Sequence, residues 1–192
     1  MKLSRYLTFV SIFAAFDGVL SGESWDDGIF LQAESNSNNQ QPYQGKLIQA
    51  NGGRFWVGGP TNATCAHKEC KKDFTVIEGH KMASLLVGLP SGQALYVGDD
   101  AALRYTTPSN PKIPAGAWSG ELVFGYGFVG APFVWGFEWY FCSTPENPDY
   151  LQVYGYVKHA RIPGCNKQDC CKTGYITSSR YEGPKPPVKY YN

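Results

Sequence analysis

Charged side chains are scarce in this 192-residue sequence, and neither sign is in excess. Lys and Arg together number 17 and Asp and Glu 16, so charged residues make up only 17% of the chain. Without a surplus of positive charge there is no electrostatic basis for binding nucleic acid or an anionic membrane surface, and neither partner is expected. The three histidines are scattered, and no phosphate-binding loop, dinucleotide fingerprint, HExxH or G-x-S-x-G motif is present. We therefore expect no cofactor and no metal site.

Long apolar runs are also missing, with one exception near the amino terminus. Lys2 and Arg5 precede an apolar run of 11 residues, 6–16, and Ser21 follows at a suitable cleavage position. As a helix this run would rise ~16 Å, about half of the ~30 Å of bilayer hydrocarbon. The pattern predicts a secretory signal peptide, residues 1–21. We expect a secreted extracellular protein with no membrane segment after processing.

Glycine, proline and aromatic residues are abundant, with 22 Gly, 13 Pro and 15% Phe, Trp and Tyr. Turn residues recur about every ten positions, and no segment sustains a 3.6-residue period, so little helix is expected. This rhythm predicts an all-β, single-domain, disulfide-stapled antiparallel β-sandwich or, as the alternative, a β-barrel. We place the β domain at residues 29–181. A short N-terminal segment, 22–28, precedes it, and a Pro-rich C-terminal tail, 182–192, follows that we expect to be loose.

The clearest hairpin signal is Asn51-Gly52-Gly53, because Asn and Gly accept the positive φ angles of a tight turn. It lies between the strand-like segments 46–50 and 54–57. Further strands are predicted at 29–34, 74–77, 83–87, 94–97, 102–105, 122–124, 133–141 and 151–157.

Cysteine content indicates disulfides, because an even number in an exported chain favours pairing. The six are Cys65, Cys70, Cys142, Cys165, Cys170 and Cys171. Cys65 and Cys70 are near enough in sequence to close a small loop, and Cys142 needs a partner in the later cluster. We expect Cys65–Cys70 and Cys142–Cys165 bonds, although Cys170 and Cys171 are also open to Cys142. A zinc site is the weaker alternative, since the spacing fits no standard zinc motif.

One N-glycosylation sequon is present, at Asn62-Ala63-Thr64. It follows a stretch rich in turn residues, 58–61. A glycan on Asn62 would therefore face water, and Asn62 is a predicted glycosylation site.

Aromatic residues alternate with other types along 133–142. By the two-residue period of a strand, the odd-numbered aromatic residues share one face. We interpret that face as core, because five exposed large rings would form an unusually large apolar patch. A few exposed rings could still stack on sugars. The candidates for glycan contact are Trp118, Trp135, Trp139 and Tyr140, with Trp56 as a further possibility.

Glu138 is the one carboxylate embedded among these aromatic residues. If it were buried, its pKa would rise, as in the acid of a glycosidase, but such an enzyme needs a second carboxylate across a cleft. Glu121, Asp99 and Asp100 are available, and nothing in the pattern marks one of them. We expect a rim carboxylate and no enzymatic activity, with a small glycosidase as an alternative.

Several ordered segments in the middle of the chain resemble the fungal cell-wall protein PhiA and its relatives. They are NGGRFWVGG at 51–59, Cys65 and Cys70, PSGQALYV at 90–97, LRYT at 103–106 and IPAG at 113–116. The early strand FLQA at 30–33 and the later Cys142 and Cys165 extend the resemblance over roughly residues 29 to 165. Where the family has an Asp-Gly corner the chain has Asp100-Ala101, which predicts a different turn. No catalytic residues are carried over from the family.

The resemblance implies a non-enzymatic, secreted, cell-wall-associated protein with a part in phialide and conidium development and stress protection. Its partners would be wall polysaccharide or wall proteins. Two alternatives come from the residues themselves, a secreted carbohydrate-binding protein or effector and the glycosidase considered above. The oligomeric state and the glycan or protein ligand are left open.

Overall fold

The structure is a computed structural model, and it describes residues 28–36, 41–65, 73–78, 84–119, 122–125, 128–130, 138–156, 171–183 and 188–192. The predicted signal peptide, Cys70, Cys165, Cys170 and Trp135 lie outside the described residues. Within them every regular element is a strand, so no helix there is long and apolar enough to span a membrane. The strands are β1 (Ile29–Ser35), β2 (Lys46–Asn51), β3 (Arg54–Val57), β4 (Ala63–Thr64), β5 (Ile77–Glu78), β6 (Ser84–Leu85), β7 (Gln93–Val97), β8 (Leu103–Tyr105), β9 (Val123–Gly125), β10 (Phe128–Gly130), β11 (Glu138–Thr144), β12 (Asn147–Tyr156), β13 (Cys171–Arg180) and β14 (Tyr190–Tyr191).

Six strands close a ring in which every neighbouring pair is antiparallel. The order around it is β1, β2, β3, β12, β11 and β13, and β13 returns to β1. The predicted all-β antiparallel fold is confirmed, and the ring has the connectivity of the barrel alternative. Closure leaves none of these six strands with a long free edge, which removes a site for unwanted pairing with other chains.

A second arc joins β1 to β3 on the other side. Strands β5, β6, β7 and β8 follow one another in this arc, with β5 paired to β1 and β8 paired to β3. The arc therefore places the β7–β8 hairpin directly beside β3. The hairpin contributes residues to the candidate site described below.

The hydrophobic core lies inside the ring and collects one face of every ring strand. Among its fully buried members are Leu31 on β1, Ile48 on β2, Phe55 on β3, Phe141 on β11 and Ile176 on β13. Successive side chains of a strand point to opposite faces, so Arg54 on β3 and Gln152 on β12 lie on the face opposite to Phe55 and Val153.

The predicted hairpin at 51–53 is confirmed. Asn51 pairs with Arg54, and Gly52 and Gly53 have φ angles of 62° and 73°. Two consecutive positive φ angles are the signature of a two-residue turn whose twist matches the flanking strands. The predicted β1, β7, β8 and β12 segments are confirmed with small shifts at their ends.

The longest element that sequence reasoning missed is β13, which closes the ring. Its ten residues are mostly polar, and they pair with both β1 and β11. Gly174 allows this double pairing, because a Cβ atom there would lie 2.3 Å from the Glu34 carbonyl oxygen and 2.5 Å from Phe141 Cε2. Glycine is therefore required at 174 by a close approach of strands.

The expected Cys142–Cys165 disulfide is wrong, because Cys142 bonds to Cys171. The two residues are direct partners in the register of β11 and β13, so the strand pairing itself brings their Cβ atoms together. The missing β13 assignment explains the error. Cys65 is disulfide-bonded as well, and its expected partner, Cys70, lies outside the described residues.

The expectation of a loose C-terminal tail is wrong for residues 188–192. Val188 and Tyr191 are buried, and β14 pairs with β4. The Tyr191 backbone N–H donates to Gln93 Oε1 at 2.7 Å, and Gln93 Nε2 donates back to the Tyr191 carbonyl at 2.9 Å. Burial raises the pKa of the Tyr191 phenol, whose oxygen accepts the Val76 N–H. Val188 and Tyr191 thus anchor the end of a tail that its Pro-rich composition predicted to be loose.

Candidate functional site

The outer face of β3 and β12 carries polar and aromatic side chains. Arg54 and Trp56 share this face by the two-residue period, as do Tyr150 and Gln152 on the neighbouring strand. Trp56 and Gln152 are direct partners in the register, so the two sets lie side by side. The face is flanked by two clefts.

The first cleft has a volume of about 460 Å³ and lies where several turns meet. The turn that joins β2 to β3, the loop at 58–60 and the turn that joins β11 to β12 enclose it. Loops held by a rigid sheet are common positions for binding residues. Its lining residues are Asn51, Gly52, Arg54, Trp56, Pro60, Glu146, Asn147 and Tyr150.

Arg54 is held in this cleft by a buried amide. Its Nη1 donates to Gln152 Oε1 at 3.0 Å, and the Gln152 side chain is fully buried. Gln152 Nε2 is the one buried side-chain polar atom of the described residues without a hydrogen-bond partner. An unpaired buried N–H costs about 1–3 kcal/mol. The fold therefore tolerates the cost of an unpaired amide N–H at Gln152 on β12, where the same amide holds the guanidinium of Arg54.

The two aromatic rings of the first cleft are also fixed in place. The Trp56 indole N–H donates to the Asn51 carbonyl at 3.0 Å, and the Asn51 side-chain amide donates to the Pro60 carbonyl at 3.2 Å. Gly59 is buried over the gap between the rings, because a Cβ atom there would lie 3.0 Å from Trp56 Cβ and 3.5 Å from Tyr150 Cγ. Trp56 is only 7% exposed, and Tyr150 is half-buried. The cleft is thus preformed.

The second cleft, of about 360 Å³, lies beside the β7–β8 hairpin. The Arg104 guanidinium forms a two-point contact with Asp100, at 2.5 and 3.3 Å, and both side chains are 28% exposed. Burial alone would raise the pKa of the Asp100 carboxyl, but Arg104, the Ala102 N–H and the charge of Arg54 hold that pKa below its usual value. Its lining residues are Tyr96, Gly98, Asp99, Asp100, Arg104, Pro114 and Ala117.

The hairpin turn beside the second cleft contains an unusual backbone conformation. Ala101 has a φ of 62°, which L-residues other than Gly, Asn and Asp seldom adopt. Its N–H donates to the Gly98 carbonyl, and its own carbonyl accepts the Gly155 N–H. Ala101 thus takes the backbone conformation that glycine favours, and the different turn expected from Asp100-Ala101 stays a prediction. Its methyl group is fully buried with Tyr154, Cys142 and Cys171, and this packing offsets the backbone cost.

A pair of neighbouring arginines relates the two clefts. Arg54 lines the first and Arg104 the second, and the two are direct partners in the register of β3 and β8. Two like charges on directly opposite residues repel each other, and the nearby carboxylates offset this repulsion between the arginines. The lining residues of both clefts contain these two arginines and three carboxylates, Glu146, Asp99 and Asp100, a net charge of −1.

Of the aromatic residues predicted as glycan contacts, Trp56 lines the first cleft, whereas Trp118, Trp139 and Tyr140 line neither cleft. Trp139 is 3% exposed, and its indole N–H donates to the Val129 carbonyl at 2.8 Å, so it belongs to the core. Trp118 packs partly buried against the same core. Tyr140 is half-buried beside the Cys142–Cys171 bond. The core assignment of the aromatic face is confirmed for Trp139 and Phe141, both of which are buried.

Glu138 does not have the buried environment that the glycosidase alternative requires. It is exposed at the start of β11, and its Oε2 accepts the Tyr140 hydroxyl at 2.6 Å. Among the described residues no group of three or more His, Cys, Asp or Glu side chains gathers as metal ligands would. Asn62 is exposed, and its side-chain oxygen accepts the Asn192 amide at 3.2 Å. Glycosylation of Asn62 stays a prediction.

Sequence reasoning missed Arg54, Glu146 and Tyr150 as cleft residues. The signal that could have found Arg54 is an arginine directly after the Gly52-Gly53 turn, where a side chain stands at the end of a hairpin. The position of Tyr150 depends on the pairing of β12 with β3, which joins segments about 100 residues apart. No local pattern contains that information.

Comparison with known proteins gives one informative relative. The chain is 28% identical over 155 residues to an uncharacterized secreted protein of the fungus Arthroderma benhamiae, and the match covers 75% of this chain and 76% of that protein. No family model matches the sequence. No solved structure matches it. The chain is thus similar to a secreted fungal protein.

Proposed function

We propose that this chain is a secreted, non-enzymatic fungal protein that is retained at the cell wall as a structural component. The observation that carries the proposal is the closed ring. The Cys142–Cys171 bond joins two of its strands, and residues 188–192 are anchored in the fold. A closed ring, reinforced by a covalent bond, suits a durable extracellular protein. Similarity to a secreted fungal protein supports export.

The absence of turnover is part of the proposal. Hydrolysis needs an acid and a base positioned on the reacting bond. The carboxylate that the sequence offers as an acid, Glu138, is exposed and bound to Tyr140. A protein of this kind would act by binding or by being part of the wall. The resemblance to PhiA extends the proposal to phialide and conidium development.

Fractionation of a fungal culture tests retention at the wall. The full chain with an internal epitope tag is expressed from its own promoter, and medium, membranes and washed wall are separated. We expect most of the protein in the wall fraction, released by β-glucanase or chitinase and not by 1 M NaCl. An even distribution in the medium would contradict wall retention. Release of reducing sugar from laminarin or chitin oligomers that is lost in Glu138→Gln would contradict the absence of activity.

Disruption of the gene tests the developmental part separately. We expect fewer phialides and conidia, with normal hyphal growth, and recovery of the count when the wild-type gene is returned. Unchanged conidial counts and unchanged stress survival would remove the developmental role and leave the wall proposal standing.

A further inference from the structure

We infer that the two clefts together form a binding groove for a neutral polysaccharide chain, and this inference rests on the proposed role at the wall. The groove is defined as the lining residues of both clefts, with the Arg54–Arg104 pair at its centre. It lies on the outer face of β3, β8 and β12.

The chemistry of the first cleft fits a polyhydroxylated ligand. Arg54 supplies donors, Glu146 supplies acceptors, and the amides of Asn51 and Asn147 supply both. Tyr150 adds a half-exposed ring, on which the apolar C–H face of a sugar can stack. Hydroxyl groups both donate and accept, so a lining that offers both kinds of group matches them better than a lining of one kind.

The charge of the groove excludes an anionic ligand. Two arginines face three carboxylates, and Arg104 is already paired with Asp100. A polymer of acidic sugars would bring further negative charge to a groove whose net charge is −1, and it would be repelled. The expected occupant is therefore a neutral chain of the β-glucan or chitin type.

The length of the groove indicates a chain and not a single sugar. The clefts have volumes of about 460 and 360 Å³, and one lining residue of the first, Arg54, is the cross-strand neighbour of one lining residue of the second, Arg104. A ligand that fills both would gain contacts in the second cleft after it is anchored in the first. Affinity is therefore expected to rise with the number of sugar units.

Preorganisation is the observation that separates this groove from an ordinary surface depression. Gln152 is fully buried with an unpaired Nε2 and holds Arg54, while Ala101 keeps a strained backbone conformation beside the second cleft. Unpaired buried polar groups and strained backbone conformations both lower stability. They cluster at sites where side chains must be positioned for a ligand.

The test measures binding to the secreted, processed full chain by isothermal titration calorimetry. The probes are laminaribiose, laminarihexaose, chitohexaose and, as the anionic comparison, polygalacturonate. We expect one hexaose to bind at least tenfold more tightly than the disaccharide, and polygalacturonate to bind more weakly than that hexaose. No binding of any neutral probe at 5 mM by folded protein would overturn the inference, as would tighter binding of polygalacturonate.

Variants locate the binding in the groove. Tyr150→Ala should weaken hexaose binding at least tenfold, and Glu146→Gln, at an exposed position, should weaken it three- to tenfold without a change in stability. Asp99→Ala in the second cleft should weaken hexaose binding by a larger factor than disaccharide binding. Tyr175→Ala is the matched control, because Tyr175 is 41% exposed on β13 outside both clefts. Unchanged binding in both Tyr150→Ala and Glu146→Gln would overturn the inference.

Failure of the groove and failure of the wall role give different results. A protein found in the medium that binds laminarihexaose through Tyr150 would refute wall retention and support the groove. A wall-bound protein that binds none of the probes would refute the groove and support retention by another contact.

Discussion

The inner and outer faces of β3 and β12 differ in polarity. Both faces contain fully buried side chains, but those of the inner face are apolar and one on the outer face is polar. On the inner face Phe55 and Val153 are fully buried among apolar side chains. On the outer face Gln152 is also fully buried, yet it is polar and leaves one N–H unpaired. The inner face follows the pattern that any closed sheet needs for stability. The outer face departs from it at the point where Arg54 is held, and such departures mark positions selected for something besides stability.

The largest expected effect is on the inner side, at Gly174. A methyl group there would meet the Glu34 carbonyl oxygen at 2.3 Å and the Phe141 ring at 2.5 Å, and neither can move without opening the ring. We expect Gly174→Ala to destabilise the protein by several kcal/mol, on the order of the worst overpacked cores, and to lower secretion sharply. Urea unfolding and secreted yield measure this. The neighbouring exposed Thr173→Ala is the control and should lie within about 0.5 kcal/mol of wild type.

The second effect concerns the bond that joins β11 to β13. The Cys142–Cys171 bond closes a loop with a sequence separation of 29, and its removal in Cys142→Ala with Cys171→Ala should cost ~3–4 kcal/mol. Chemical unfolding gives the difference, and non-reducing peptide mapping should recover a Cys142–Cys171 peptide. Recovery of a Cys142–Cys165 peptide would contradict the pairing of the two strands.

An intermediate effect is expected where the C-terminal segment meets the core. The Tyr191 hydroxyl accepts the Val76 N–H at 3.1 Å and donates to the Phe74 carbonyl at 3.3 Å. Tyr191→Phe leaves the buried N–H unpaired and should cost about 1–3 kcal/mol in unfolding free energy. Tyr190→Phe, at the half-buried neighbouring position, should change stability little. Equal effects of the two substitutions would mean that the hydroxyl contacts of Tyr191 do not hold the segment.

The smallest effect belongs to the outer face and depends on pH. Because Arg104 and its neighbours lower the pKa of Asp100 in the folded state, the carboxylate stabilises the fold above its unfolded pKa, near 3.8, and the contribution is lost as pH falls through the folded value. Asp100→Asn should cost about 1 kcal/mol at pH 7 and less at pH 2. Thermal unfolding at both pH values measures this. A constant difference between pH 7 and pH 2 would contradict the assigned role of the charge.

Sequence patterns were sufficient for the inner face and for local turns. Period-two alternation placed Trp139 and Phe141 in the core, and the paired glycines at 52 and 53 located a hairpin. These features depend on residues close to one another in the chain. Strand β13 was missed because its burial comes from three partner strands, β1, β10 and β11. Among its buried residues only Ile176 is a large apolar side chain.

Sequence reasoning named Trp56, Asp99 and Asp100 as candidate residues, but it could not show that they belong to one groove. Arg54, Arg104 and Tyr150 come from three strands that only the register brings together. The aromatic-rich segment at 133–142 gave a stronger local signal for glycan contact than Tyr150 did, yet Trp139 on it faces the core. Composition identifies which side chains can contact a sugar. The pairing of the strands decides which of these side chains lie next to one another.

Ring closure has a consequence for the order in which the chain folds. Ile29 pairs with Arg180, so β1 gains this partner only after about 150 further residues have been made. Contacts of such high sequence separation must overcome a large loop-closure entropy, and folds that depend on them form slowly. During synthesis one edge of β1 therefore stays unpaired and open to chaperones and to other nascent chains. We expect this long-range pairing to set how soon the exported chain reaches its folded state.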